Sequence, residues 1–237
     1  MPRRTWTQGT FEQLLAGDET GTAATRAPAS IPRRRLPQAH PQQRNETARQ
    51  APEPPLPDLI ELKRMPGPNS MRFLIAHGLL EPLDPSCSYL HERAGGIFGR
   101  ASIVTPLLPY GAAASNGLAH WVWTGGAFPP YIDIISSSHF RTPVHGHIIR
   151  VHNRRLPTEH MMKLGDLWTT SPLRTACDLA CEPPGRTGED GKLAGLHTLM
   201  ERYQVSCGAC LNLLADNPRW PGHSLGIEAF QTLRRIL

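Results

Sequence analysis

No run of about eighteen apolar residues occurs in the chain, so a membrane-spanning helix is not expected, and neither is a membrane partner. The opening Met-Pro-Arg-Arg-Thr-Trp has no apolar stretch of the signal-peptide kind, which makes a cytoplasmic protein the expectation. Cysteine is scarce and odd in number, 5 residues at positions 87, 177, 181, 207 and 210, and that fits reduced thiols better than a disulfide framework. Aromatic residues make up 6% and charged residues 19% of the 237, while proline accounts for 24 residues, a composition too poor in large side chains to fill the whole length with core. A glycine-rich phosphate loop, a Gly-x-Ser-x-Gly elbow and a serine or cysteine placed for a triad are all missing, so the common nucleotide-binding and hydrolase signatures are excluded.

What is present is unevenly distributed. The formal net charge is +5, which permits nucleic acid, an acidic protein or anionic lipid as partner and selects none of them. Residues 1–56 mix Pro, Arg, Gln, Ala and Thr and read as a disordered tail, with one helical turn at Phe11–Leu15 and a solvated arginine cluster at Arg33, Arg34 and Arg35. Residues 57–100 hold a short apolar helix at Met71–Ala76 that stops at His77-Gly78, followed by turn-rich sequence expected as short strands or loops. Residues 101–237 form the main domain. There GAAASNGLAHWVW reads as a helix carrying Ala113, Leu118, Trp121 and Val122 on one face. YIDII, HIIRVH and DLWT read as strands, and three further helices run to the C-terminus. The expected class is α+β, a small mixed sheet flanked by helices.

The stretch TTSPLRTACDLAC, Thr169 to Cys181, is the most informative. Ser171 suits the N-cap and Pro172 the first helical position, and Pro183-Pro184 must end the helix near Cys181. Arg174 and Asp178 then lie one turn apart on the flank of a stripe made by Leu173, Ala176, Cys177 and Ala180, with Thr175 at the back. An arginine preceding its aspartate near the positive end of the helix dipole is the weaker arrangement, so propensity alone does not select it. A pair at a partly buried edge, holding the helix to the sheet, accounts for it best.

Candidate chemistry is thin. A metal-dependent nuclease of the sheet type needs a strand acid, for which Asp133 qualifies, and an acid-x-lysine pair on the next strand, where IIRVHN offers neither. No catalytic residue, cofactor or metal is therefore expected. The pairs Cys177/Cys181 and Cys207/Cys210 supply enough thiols for zinc, yet Cys177 shares the apolar stripe and reads as core. Alternation on the strand IIRVH turns Ile149 and Val151 one way and Arg150 and His152 the other. With Arg141, Arg154 and Arg155 these make a basic surface, the candidate contact for DNA or a protein partner.

The order GAAASNGLAHWVWTGG, YIDII and IIRVHNRRLPTEHMMKLGDLWTTSPLRTACDLA resembles the core of the AbiEi family, the antitoxin and regulator component of type IV toxin–antitoxin pairs, over roughly residues 100–215. The most specific match runs from Leu167 to Ala180 and includes Thr170, Ser171, Pro172, Arg174, Thr175 and Asp178; Trp168 stands where the family often has valine. The resemblance implies a non-enzymatic protein that binds operator DNA through an N-terminal winged helix, a cognate nucleotidyltransferase-like toxin through its C-terminal domain, or both. The chain departs from the family pattern in opening with a proline-rich tail, and only Met71–His91 is left as a winged-helix remnant. A divergent endonuclease using Asp133 and an interaction domain without DNA binding are the alternatives.

Overall fold

The computed structural model describes residues 56–237 except 139, 141, 154, 155, 186, 187 and 237. The tail over 1–56, its helical turn and its arginine cluster thus lie outside the described residues, apart from Leu56.

Two sheets organise the rest. The first is three-stranded in the order β1-β3-β2, from β1 (Leu59–Glu61), β2 (Leu80–Asp84) and β3 (Cys87–Leu90), all antiparallel. Its helix α1 (Pro68–Ala76) enters through a proline in its first turn and leaves through Gly78 at φ +69, a conformation glycine adopts without strain. Met71, Leu74 and Leu80 bury against one another beneath it. The turn-rich stretch after α1 is therefore an antiparallel hairpin, closed where Asp84 Oδ1 accepts from Ser86 N and Oγ at 2.6 and 2.8 Å.

Two helices follow, α2 (His91–Ala94) and α3 (Ile97–Val104). The glycines of AGGIFGR suggest a loop, but Gly99 is what lets α3 form here: a Cβ at that position would sit 1.9 Å from the Arg93 carbonyl oxygen. Arg100 on α3 is buried, and Nε, Nη1 and Nη2 donate to the carbonyls of Val122, Ala94 and Trp123 at 2.8, 2.7 and 3.2 Å.

The second sheet has the order β6-β5-β4-β8-β7, from β4 (Ala113–Ala114), β5 (Tyr131–Ile135), β6 (Ile148–His152), β7 (Met161–Leu164) and β8 (Leu167–Thr170). Pairing is mixed: β5–β6 and β4–β8 are parallel, β4–β5 and β7–β8 antiparallel. Ala113 belongs to this sheet and not to the helix in which its spacing placed it. The helix α4 (Asn116–Thr124) starts later, because Ala113–Ala114 is bonded on both sides, to Ile134–Ile135 and to Thr169. The strand β7, carried by a sequence without marked alternation, is held by a two-residue turn at Gly165-Asp166 with Gly165 at φ +60.

Helices α5 (Pro172–Ala180), α6 (Gly188–Arg202), α7 (Cys207–Ala215) and α8 (His223–Ile236) pack on one another, and α5 and α6 also pack on α4, which lies against β5. One core runs through them, with Trp121, Trp123, Ile132, Ile134, Leu199, Leu214 and Phe230 almost wholly buried. The architecture is α+β. No helix among the described residues is long and apolar enough to cross a membrane.

Candidate functional site

The helix α5 begins as its sequence dictates: Ser171 Oγ accepts from Arg174 N at 3.3 Å and Pro172 occupies the first position. Arg174 Nε donates to Asp178 Oδ2 at 3.0 Å, and both side chains are fully enclosed. The guanidinium also lies 4.0 Å from the centroid of Trp220, in the connection between α7 and α8. The pair thus packs α5 against the C-terminal helices rather than at a half-open edge of the sheet. The aromatic plane supplies an apolar contact that a guanidinium accepts and an ammonium uses less well. On the opposite side the Thr175 hydroxyl meets Thr170 Oγ1 at 2.7 Å and donates to its carbonyl at 3.2 Å. Every polar residue of the motif is spent on structure.

Cys87, Cys177, Cys181 and Cys210 are buried, and Cys207 is half-buried against the core. Cys177 Sγ donates to the Cys210 carbonyl at 3.7 Å, and its ionisation is pushed upward, first by the neighbouring Cys210 and then by burial, which keeps the thiol protonated. Among the described residues, one group of three metal-ligating side chains converges, and it contains no cysteine: the ligand atoms of Asp133, His152 and Glu182 lie within 4.8 Å of one another.

This second constellation is built from four separate stretches of chain. Asp133 sits at the centre of β5, buried, directly opposite Arg150 in the parallel register with β6. Arg150 clamps it with both edges of the fork, Nε to Oδ1 at 2.8 Å and Nη2 to Oδ2 at 3.0 Å. His152, two residues further along the same face, donates from Nε2 to Oδ1 at 3.0 Å. The guanidinium stacks on Tyr131 at 4.2 Å and stands 3.8 Å from Glu182 Oε1. Glu182 enters from just beyond α5 and accepts from Asn116 Nδ2 at 2.6 Å. Asn116 opens α4 with φ +47, in the left-handed region, and is buried with Oδ1 lacking a hydrogen-bond partner. Gly117 beside it lies against the acid, since a Cβ there would stand 3.4 Å from Asp133 Oδ2, in ordinary contact.

The electrostatics are unbalanced. Two carboxylates share one guanidinium. Burial raises the Glu182 carboxyl above its ordinary value and the Asp133 charge raises it further, against the opposing pull of Arg150 and Asn116. Burial lowers the affinity of Arg150 for its proton, but the hydrogen bonds and charge of Asp133 outweigh it and the net shift is upward.

Of the five basic residues expected to form a contact surface, Arg150 and His152 are turned onto Asp133. Arg141, Arg154 and Arg155 lie outside the described residues. The contribution of Glu182 and Asn116 was hidden in the sequence, where neither stands near Asp133 or shares a motif with it. None of the protein-family models, curated proteins or solved structures compared with the chain matches it.

Proposed function

We propose that the chain is a cytoplasmic, non-enzymatic regulator of the AbiEi antitoxin kind that acts by binding, with a toxin protein as its principal partner. The observation that carries this reading is the unit Leu59–Leu90. One helix is followed by a hairpin, and an earlier strand pairs with the second hairpin strand to give the order β1-β3-β2, the sheet arrangement of a winged helix. It precedes the mixed sheet and the α5 motif, as the family resemblance requires.

Charge favours protein over DNA. The helix α1 carries a single basic residue, Arg72, and Lys63 and Arg64 are paired with Glu61 at 3.0 and 3.3 Å. The hairpin that would lie along a phosphate backbone bears Glu81 and Asp84. Operator binding is therefore the weaker half of the reading. Co-expression with a nucleotidyltransferase-like toxin encoded beside the gene should restore growth, and the two proteins should co-purify. Retardation of the upstream DNA should be weak and salt-sensitive. Absence of both rescue and retardation would overturn the proposal.

The convergence of His152 and Glu182 on Asp133 favours a second reading, metal-assisted phosphodiester cleavage. It requires that plasmid incubated with the protein and magnesium be nicked, and that Asp133→Asn abolish the nicking.

A further inference from the structure

The geometry points to a divalent-metal site at Asp133, His152 and Glu182, with the Asn116 carboxamide as a fourth ligand and Arg150 as the resident cation that a metal displaces. The three ligand atoms already lie within 4.8 Å of one another. Ligands held about 2.0–2.2 Å from a common ion are separated by about 3–4.4 Å, so small side-chain movements would close the set. Oxygen donors with one imidazole suit manganese or zinc better than a soft copper or thiolate-type centre.

Asn116 supplies the independent sign of a missing ligand. It is completely buried, and its side chain reaches into the cluster, yet Oδ1 has no partner. A buried acceptor left unmet is costly, so it marks a place where a partner belongs. A half-turn of the carboxamide exchanges its two ends and puts the oxygen about where Nδ2 now stands, 2.6 Å from Glu182 Oε1. Two oxygens remain at that separation only with a proton or a cation between them.

Arg150 explains how the site stays intact without the ion. Its guanidinium bridges toward both carboxylates, 2.8 Å from Asp133 and 3.8 Å from Glu182, and so takes the place of positive charge. Unlike the carboxylate it holds, this side chain is 41% exposed, while that of Asp133 is 2% exposed. The arginine can therefore leave the acid toward solvent, while Asp133 stays enclosed. Metal and guanidinium compete for the same two charges.

That competition separates a metal site from an ordinary buried ion pair. Titration of the full chain with Mn²⁺, followed by calorimetry and by the loss of free-ion paramagnetic signal, should show one ion bound per chain and a rise in melting temperature. Asp133→Asn should abolish both effects. Arg150→Gln should tighten binding about ten-fold or more, because it removes a unit charge about 4 Å from the ion. Removing one half of an ion pair with no metal role would only weaken the fold. Should Arg150→Gln fail to fold, Glu182→Gln takes its place, and a loss of about ten-fold in Mn²⁺ affinity with a native-like melting point is expected. No Mn²⁺ uptake by the native chain, or uptake unchanged by Asp133→Asn, overturns the assignment. Calorimetry reads binding alone, so the result stands whether or not plasmid is cleaved or a toxin neutralised.

Discussion

Replacing Arg100 by methionine tests how the C-terminal end of α4 is closed. The last carbonyls of a helix have no intrahelical donor, and in α4 they are met from outside. Val122 O receives Arg100 Nε, while Trp123 O receives Arg100 Nη2, Tyr203 Oη at 2.8 Å and a long contact from Arg202 Nη1 at 3.5 Å. Thr124 O receives Arg202 Nη1 at 3.0 Å. Trp123 O therefore keeps a donor when Arg100 is lost, but Val122 O loses the donor that Arg100 supplies. Stranding a buried carbonyl costs about 1–3 kcal/mol, and the severed bond to Ala94 O adds about 1 kcal/mol. Methionine retains most of the aliphatic stem, and removing a charge whose protonated form burial already disfavours returns part of the loss. The expected net destabilisation is about 1–3 kcal/mol. In a domain of this size that lowers the melting temperature by roughly 2–12 °C. Far-UV circular dichroism on heating, together with a urea series at constant slope, measures it. Arg202→Ala is the control, since Trp123 O keeps Tyr203 and Arg100 and the Thr124 carbonyl can turn to water, and it should cost less than about 1 kcal/mol. If Arg100→Met melts within about 1 °C of the native chain, Arg100 does not close the end of α4.

Three other outcomes follow from the packing. Arg174→Ala should cost about 3–5 kcal/mol by calorimetry, because it removes one partner of a buried pair and the face over Trp220 together, and Arg174→Lys should recover only part of this. Gly226→Ala should destabilise by about 1–3 kcal/mol in urea unfolding, since the added carbon would meet Cys181 Sγ at 2.6 Å and Leu214 Cδ1 at 2.9 Å where α8 crosses α5. His120 is lowered below its ordinary value by burial, against the opposing bond from Nε2 to the Gly195 carbonyl at 3.1 Å. The unfolded chain therefore binds the proton first on acidification. Stability is fully present above the unfolded value near 6.5 and falls as the pH drops toward the folded one, by at most about 1.4 kcal/mol per pH unit for this residue, and His120→Gln should flatten that slope in melting temperatures taken between about pH 7 and pH 5.

The difference between the two charge clusters shows what a linear sequence can disclose. The helix α5 was legible because all its instructions are local: a serine cap, a proline at the first position, a stripe of small apolar residues and a proline pair beyond the end. Its packing partner was not, since Trp220 lies 46 positions from Arg174 and belongs to no shared pattern. The strands of YIDII and IIRVH were equally readable, including the common direction of Arg150 and His152. Their parallel pairing was not, and it is this pairing that sets Arg150 against Asp133 and turns an apparent surface charge inward. Glu182 reads as a residue before two prolines, and Asn116 as an ordinary helical position. The left-handed backbone at Asn116 suits asparagine, which enters that region more readily than most residues, whereas the two-residue strand before it is set by its partners in the sheet. The three-stranded unit Leu59–Leu90 was half visible, as one apolar helix with turns after it, because the strand that completes its sheet has only three residues.

The middle of the larger sheet is its narrowest part. Ala113–Ala114 alone joins the β5–β6 ribbon to the β7–β8 hairpin, and on the β8 side the register rests on the single pairing of Ala114 with Thr169. The hairpin can zip through its tight turn early in folding, whereas closing the seam brings together residues 55 positions apart and carries the larger loop-closure penalty. The seam is thus the costliest closure in the sheet, made by a dipeptide whose two methyl groups are buried.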